Sequence, residues 1–153
     1  MEILEKLAEN EEHISRLYRV YAEIMPAHKE FWSKLADEEI EHASWIRSFA
    51  EGVEGGTLAI DEKRFPRNAL QTYSQYLDGS IDRAARKGVD VMGAFTTAIY
   101  IEESLVELKF FEVIDSGSEE FDDVLLHLKK DTIEHNKRIK EYWSKIKDTA
   151  RGN

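Results

Sequence analysis

The chain is predicted to be all-α: a four-helix bundle of two antiparallel helical hairpins, joined by a long crossover that carries an extra helix. Three observations lead there. Apolar residues recur at spacings of three and four through most of the 153 residues. Only 2 prolines and 8 glycines interrupt them. An early segment also returns late in the chain with its histidine in register. A chain of this length buries one core, so residues 1–153 are expected to form a single domain.

Residues 3 to 25 place Leu4, Leu7, Ile14, Leu17, Tyr18, Tyr21, Ile24 and Met25 on one helical face, and Pro26 ends that helix because it has no amide to donate. The second helix runs from about His28 to Ala50 with Phe31, Leu35, Ala36, Ala43, Trp45 and Ile46 along it, and Gly52, Gly55 and Gly56 close it. The stretch EKRFPRNALQTYSQYLDGSIDRAARKG puts Leu70, Tyr73, Leu77, Ile81 and Ala84 on one face of a connecting helix, which Asp78-Gly79 could kink. Asp90 is the N-cap expected for a helix from about Val91 to Asp115, stopped by Gly117. Ser118, with Glu119 and Glu120 in the first turn, starts the last helix, which runs to about Lys147.

Composition narrows the function. The formal charge of −10 repels phosphate backbones, and no basic stripe offsets it, so no nucleic-acid partner is expected. The acidic N-terminus lacks a signal-peptide core, and no run reaches the ~20 apolar residues of a membrane span, so a cytoplasmic protein without membrane contact is expected. The absence of cysteine excludes disulfides, iron–sulfur clusters and thiol catalysis, leaving His and carboxylates to hold any metal.

LADEEIEH at residues 35–42 and LKKDTIEH at 128–135 share Leu, Ile, Glu and His when aligned on the histidine. His42 and His135 are 93 residues apart, and the Glu11-Glu12 and Glu102-Glu103 pairs are 91 apart, so both helices of the first hairpin have counterparts in the second. Most acids in so charged a chain lie in water. A few cannot. Glu102 is flanked by Ala98, Ile99, Leu105 and Val106, Glu11 by Leu7, Ala8 and Ile14, and Glu39 by Leu35, Ala36, His42 and Ala43. Glu12 and Glu103 are the outward members of their pairs. Desolvating several carboxylates costs several kcal/mol each unless they share a cation, and an O/N donor set suits Fe, Mn or Zn. One Glu-x-x-His means little among 31 acids; duplicated Glu and His sites on apolar faces mean much more.

These residues resemble the ferritin-like diiron-carboxylate proteins, and most of all the rubrerythrin branch. The likeness is carried by Glu11 with Tyr18 and Tyr21-Ala22, by ADEEIEHA, by AIYIEESLVELKFFEV and by DTIEH, and it spans nearly the whole chain. In that family each hairpin supplies a terminal Glu and a Glu-x-x-His whose Glu bridges two metals. The resemblance implies Glu11 and Glu102 as terminal ligands, Glu39 as a bridge and His42 and His135 as the imidazoles of a two-iron site. Glu38 and Asp131 would accept the second N–H of a facing histidine.

Thr132 stands where the sixth ligand should be. A neutral hydroxyl is a poor ligand for a hard ion, and three carboxylates leave two divalent ions one charge short. Three repairs fit the chemistry: Asp131 swings in, an exogenous hydroxide or small carboxylate bridges the metals, or one metal binds instead of two. Tyr18, Tyr21 and Tyr100 are candidates for hydrogen-bond or radical partners, although Tyr at helical spacing is more often core. His13, His28 and His127 read as surface or structural.

The resemblance implies peroxidase or ferroxidase chemistry with peroxide or O2. Rubrerythrins proper carry a Cys-rich rubredoxin-type domain, which this chain cannot form, so electrons would come from a separate donor protein. The alternative is a non-catalytic metal-binding or iron-storage-related bundle altered at Thr132. A third reading is an interaction module whose acids pair with Lys or Arg. A homodimer is expected, with Tyr73 and Tyr76 read as exposed aromatics on the crossover.

Overall fold

The computed structural model describes residues 2–56, 58–60, 67–107, 114–116 and 119–150, and these are predominantly helical. Helix α1 spans Glu2–Ile24 and buries Ile3, Leu4, Leu7, Ala8, Ile14, Leu17, Tyr18 and Tyr21. A 3-10 turn over Pro26–His28 reverses the chain into α2, Lys29–Glu54. Proline sits at the start of that turn, where its missing N–H costs nothing. Helices α1 and α2 run antiparallel: Glu5 meets Arg47 at one end, Ser15 Oγ donates to the Ala36 carbonyl at 2.7 Å, and Arg19 meets Asp37 at 2.8 Å. Helix α2 continues past the expected stop at Ala50, because Gly52 is buried within it and the break comes only at Gly55 and Gly56. Gly56 takes a φ of 77°, which favours glycine.

Helix α3, Arg67–Lys87, packs against α1 and runs unbroken through Asp78-Gly79, so the expected kink does not form. Nothing lies within 4 Å of where a Cβ on Gly79 would stand. Gly88, with φ of 73° and its amide on the Ala84 carbonyl at 3.1 Å, ends the helix in the left-handed cap that glycine favours. Asp90 Oδ1 then accepts from the Gly93 amide at 2.7 Å and caps α4, Val91–Glu107.

The expected extension of α4 to Asp115 is corrected by a strand. Residues Ile114–Ser116 (β2) pair antiparallel with Leu58–Ile60 (β1), with Ala59 opposite Asp115. Antiparallel pairing with Leu58–Ile60 takes the place of a further helical turn there. The stop expected at Gly117 and the start at Ser118 lie outside the described residues. Helix α5 covers Glu119–Ala150 and packs along α4, with Lys140 Nζ 2.7 Å from Glu103 and the Phe95 and Trp143 rings stacked at 5.3 Å.

Two apolar clusters fill the interior. One gathers Leu17, Tyr18, Tyr21, Trp32, Leu77, Phe95, Ile101 and Ile139; the other gathers Leu4, Leu7, Ile46, Phe49, Leu70 and Leu128. Along α1, α2 and α5 the chain passes from one cluster to the other through Glu11, through Glu39 and His42, and through Thr132 and His135. The polar residues are therefore buried between two hydrophobic plugs. Tyr73 is buried at 7% exposure, with its hydroxyl 3.4 Å from the Ile101 carbonyl, so it is not the exposed aromatic expected of the crossover. Among the described residues no helix is long and apolar enough to cross a membrane.

Candidate metal centre

Glu39 lies at the centre of the buried polar group and is fully enclosed. Its Oε2 is 3.1 Å from His42 Nδ1, one turn along α2, and its Oε1 is 2.8 Å from His135 Nδ1 on α5. The two imidazoles stack with centroids 4.8 Å apart, so one carboxylate and two Nδ1 atoms converge from two helices. Glu39, His42 and His135 form a group compact enough to hold a metal ion.

The far sides of the imidazoles are braced crosswise. His42 Nε2 meets Asp131 Oδ2 of α5 at 2.7 Å, and His135 Nε2 lies 3.0 Å from Glu38 Oε2 of α2, although off the direction of a hydrogen bond. Each motif helix thus supplies an acid behind the other's histidine. Such partners fix the ring and direct Nδ1 inward. Arg138 holds Glu38 through two hydrogen bonds, at 3.3 and 2.5 Å. The sequence showed no sign of this arginine's role, because only the pairing of α2 with α5 brings the two residues together.

Two more carboxylates close the group. Glu11 Oε2 is 3.9 Å from His42 Nδ1, and Glu102 Oε1 accepts from the Tyr18 hydroxyl at 2.8 Å. Oε2 of Glu11 and Oε2 of Glu102 are buried with no hydrogen-bond partner. Burial and the negative charge of Glu39 push both carboxyls well above their usual range. Burial would also raise Glu39, but the charge of His42 and hydrogen bonds from both imidazoles outweigh it and hold that carboxyl well below the ordinary value. Burial disfavours charge on His42, yet Glu39 and Glu11 raise it to about 10.

The Glu39 carboxylate between two inward Nδ1 atoms fits a divalent cation, because these donors are oxygen and imidazole nitrogen, and the unpartnered Glu11 Oε2 lies 3.9 Å from one of them. Thr132 sits at the group's edge, 4% exposed, with its hydroxyl donated to the Leu128 carbonyl of its own helix at 2.9 Å. Asp131 is held on the Nε2 side of both rings, 2.7 Å from His42 and 3.7 Å from His135, away from the Nδ1 atoms that face Glu39. The sixth position therefore carries no carboxylate.

Tyr18 reaches the group through Glu102. The Tyr21 hydroxyl lies beside Thr97 instead. Tyr100, 55% exposed against Tyr76, does not approach the group, which corrects its candidacy as a partner. Glu12 pairs with Arg47 and Glu103 with Lys140, both at the surface. His13 lies beside Asp78, His28 beside Tyr142 and His127 against Trp45, all apart from the cluster. No protein-family model, curated protein or solved structure matches this chain.

Proposed function

We propose that this is a rubrerythrin-like member of the ferritin-like diiron-carboxylate class that reacts with peroxide or O2, in the manner of a peroxidase or ferroxidase. The observation behind the proposal is the convergence of three buried carboxylates and two Nδ1 atoms between two apolar plugs. The pairing of α1 with α2 and of α4 with α5, joined by a segment containing α3, supports a ferritin-like bundle. In this reading Glu39, Glu11 and Glu102 would hold the metal through their carboxylates, and His42 and His135 through Nδ1. Iron, as two ions or one, would bind and polarise the oxidant and exchange electrons with it.

The chain's own residues do the rest. Asp131 holds the His42 imidazole in the inward orientation, Glu38 stands 3.0 Å behind His135 Nε2, and the phenol of Tyr18 holds Glu102. The apolar residues on either side keep bulk water from the reacting oxygen species. In this reading the electrons come from a donor outside the bundle, whose 153 residues contain no cysteine to hold a rubredoxin-type iron.

A second reading is favoured by Thr132, whose hydroxyl is committed to its own helix: a metal-binding or storage-related bundle with an asymmetric site and no turnover. Metal per chain after anaerobic Fe(II) loading, compared between the natural protein and Thr132→Glu, separates the cases. Two irons in both mean an exogenous bridge completes the site. One rising to two means Thr132 has made the centre mononuclear, and none in either removes the metal reading. Peroxide consumption that is lost in folded Glu39→Ala supports turnover; consumption equal in the two proteins rejects it.

A further inference from the structure

A line of touching rings runs from the carboxylate cluster to the protein surface. Tyr18, whose hydroxyl donates to Glu102 Oε1 at 2.8 Å, packs on Trp32 at 5.4 Å between centroids. Trp32 meets Phe31 at 5.2 Å and Phe95 at 4.7 Å, and both of these meet Tyr142, at 4.0 and 5.7 Å. The Tyr142 hydroxyl is 2.9 Å from His28 Nδ1, at the edge of a cleft of about 560 Å³ that Lys29 and Lys34 also line.

The two ends share a chemistry that the middle lacks. An oxidised tyrosine sheds its phenolic proton, so it needs an acceptor in contact: Tyr18 has Glu102, and Tyr142 has the imidazole of His28, whose Nδ1 accepts from the hydroxyl in the tautomer protonated on Nε2. Trp32 is fully buried and its indole N–H has no partner. Leaving a buried N–H unpaired costs free energy, and no hydrogen bond explains its retention. With no base beside it, an oxidised Trp32 keeps its proton and passes the charge on instead of trapping it. Tyr21 also touches Trp32, at 4.9 Å, but its hydroxyl meets Thr97, which is no base.

We propose that Tyr18, Trp32 and Tyr142 form a conduit that moves oxidising equivalents from the cluster to the His28 cleft, where a small anionic one-electron reductant restores them. The proposal rests on the peroxide reading above. Reduction of one peroxide to two waters consumes two electrons, delivered in two passes along the conduit from two reductant molecules, and two protons, taken from the solvent. When Tyr18 gives up an electron, its phenolic proton shifts along the hydrogen bond it already donates to Glu102. Trp32 reduces Tyr18, which takes its proton back. Tyr142 reduces Trp32 and gives its proton to His28. The reductant then returns an electron to Tyr142, and His28 returns the proton. Lys29 and Lys34 against the single carboxylate of Glu30 leave the cleft lining with a positive excess, which favours an anionic donor such as ascorbate.

The conduit can be tested without iron. The chain has no cysteine, so Lys29→Cys gives a single attachment point for a ruthenium photo-oxidant in the cleft. Repeated flashes with a sacrificial quencher should oxidise buried Trp32, located by peptide mass spectrometry, and leave Trp45 unmodified. Oxidation that reaches Tyr142 while Trp32 stays unmodified overturns the conduit. In the iron-loaded protein, peroxide should produce a tyrosyl radical, seen by freeze-quench electron paramagnetic resonance, that Tyr142→Phe removes and ascorbate quenches. Trp32→Phe, checked for an unchanged melting temperature, should abolish that radical; a Tyr142 radical that persists in this variant overturns the proposal. Trp32 oxidised by the flash in a protein that consumes no peroxide would remove the peroxide reading and leave the conduit standing.

Discussion

Glu39 and Thr132 occupy matching places in the two halves of the chain, three residues before a buried histidine, and their surroundings differ in kind. Glu39 reaches both imidazoles, one within its own helix and one across the bundle. Thr132 reaches no group of the cluster and returns its hydroxyl to the Leu128 carbonyl. The comparison teaches that the two histidines do not depend on two equivalent carboxylates. One shared carboxylate in front and one crossed acid behind each ring suffice to aim both Nδ1 atoms.

Breaking the Glu39 side should have the largest effect. Glu39→Ala leaves His42 and His135 buried without their common acceptor, and losing one member of a buried charged pair costs about 3–5 kcal/mol. Denaturant unfolding of the metal-free protein should show that loss, and iron per chain should fall to background. Thr132→Glu should divide in sign: the metal-free protein loses stability because a fourth carboxylate is buried beside three others, whereas the loaded protein gains it. Melting temperatures with and without Fe(II) check this, and destabilisation in both states would mean that the new carboxylate does not reach the metal.

The crossed acids give a smaller effect. Asp131→Asn and Glu38→Gln should each weaken metal binding by about 10–100-fold through loss of ring orientation, as read by chelator competition. Thr132→Val, the gentlest change, should leave affinity unchanged, because the hydroxyl faces its own helix; a clear fall would make Thr132 a ligand.

Acidity sharpens the comparison further. His42 is raised from 6.5 to about 10, so its stabilising contribution is complete below pH 6.5 and is lost as pH rises to 10. Glu11 and Glu102, also raised, act in the same direction, fully below the ordinary carboxylate value. Glu39 is depressed, so its contribution is lost only as pH falls through its low folded value. The metal-free protein should therefore lose stability between pH 6.5 and 10, while metal affinity rises over that window because binding displaces these protons. Unfolding midpoints should fall with pH over that window in the metal-free protein and stay level at a fixed free metal concentration, because the loaded protein no longer carries the proton.

The helices and the inward acids could be read from the chain, because Glu11, Glu39 and Glu102 sit among apolar neighbours at helical spacing and that pattern survives folding. The pairing of Ile114–Ser116 with Leu58–Ile60 could not be read, since three-residue strands are too short to show an alternation. Arg138 was invisible for another reason: its partner Glu38 lies 100 residues away, and which rotation of α5 faces α2 is decided by packing. The same holds for Tyr73 and Tyr100, whose burial and exposure depend on how α3 meets α1 and α4. Local spacing reports which side chains share a face; it does not report what that face meets.

The crossed bracing by Asp131 and Glu38 also bears on how such a chain could arise. A single hairpin offers a histidine and an acid that point to opposite ends of the same pairing, so it cannot complete either imidazole on its own. A second copy, related by a two-fold axis, would complete both at once. Duplication and fusion of a self-associating hairpin would preserve that reciprocity. Once the copies were joined, one bridging position would be free to change alone, as Thr132 has against Glu39, which two identical subunits could never do.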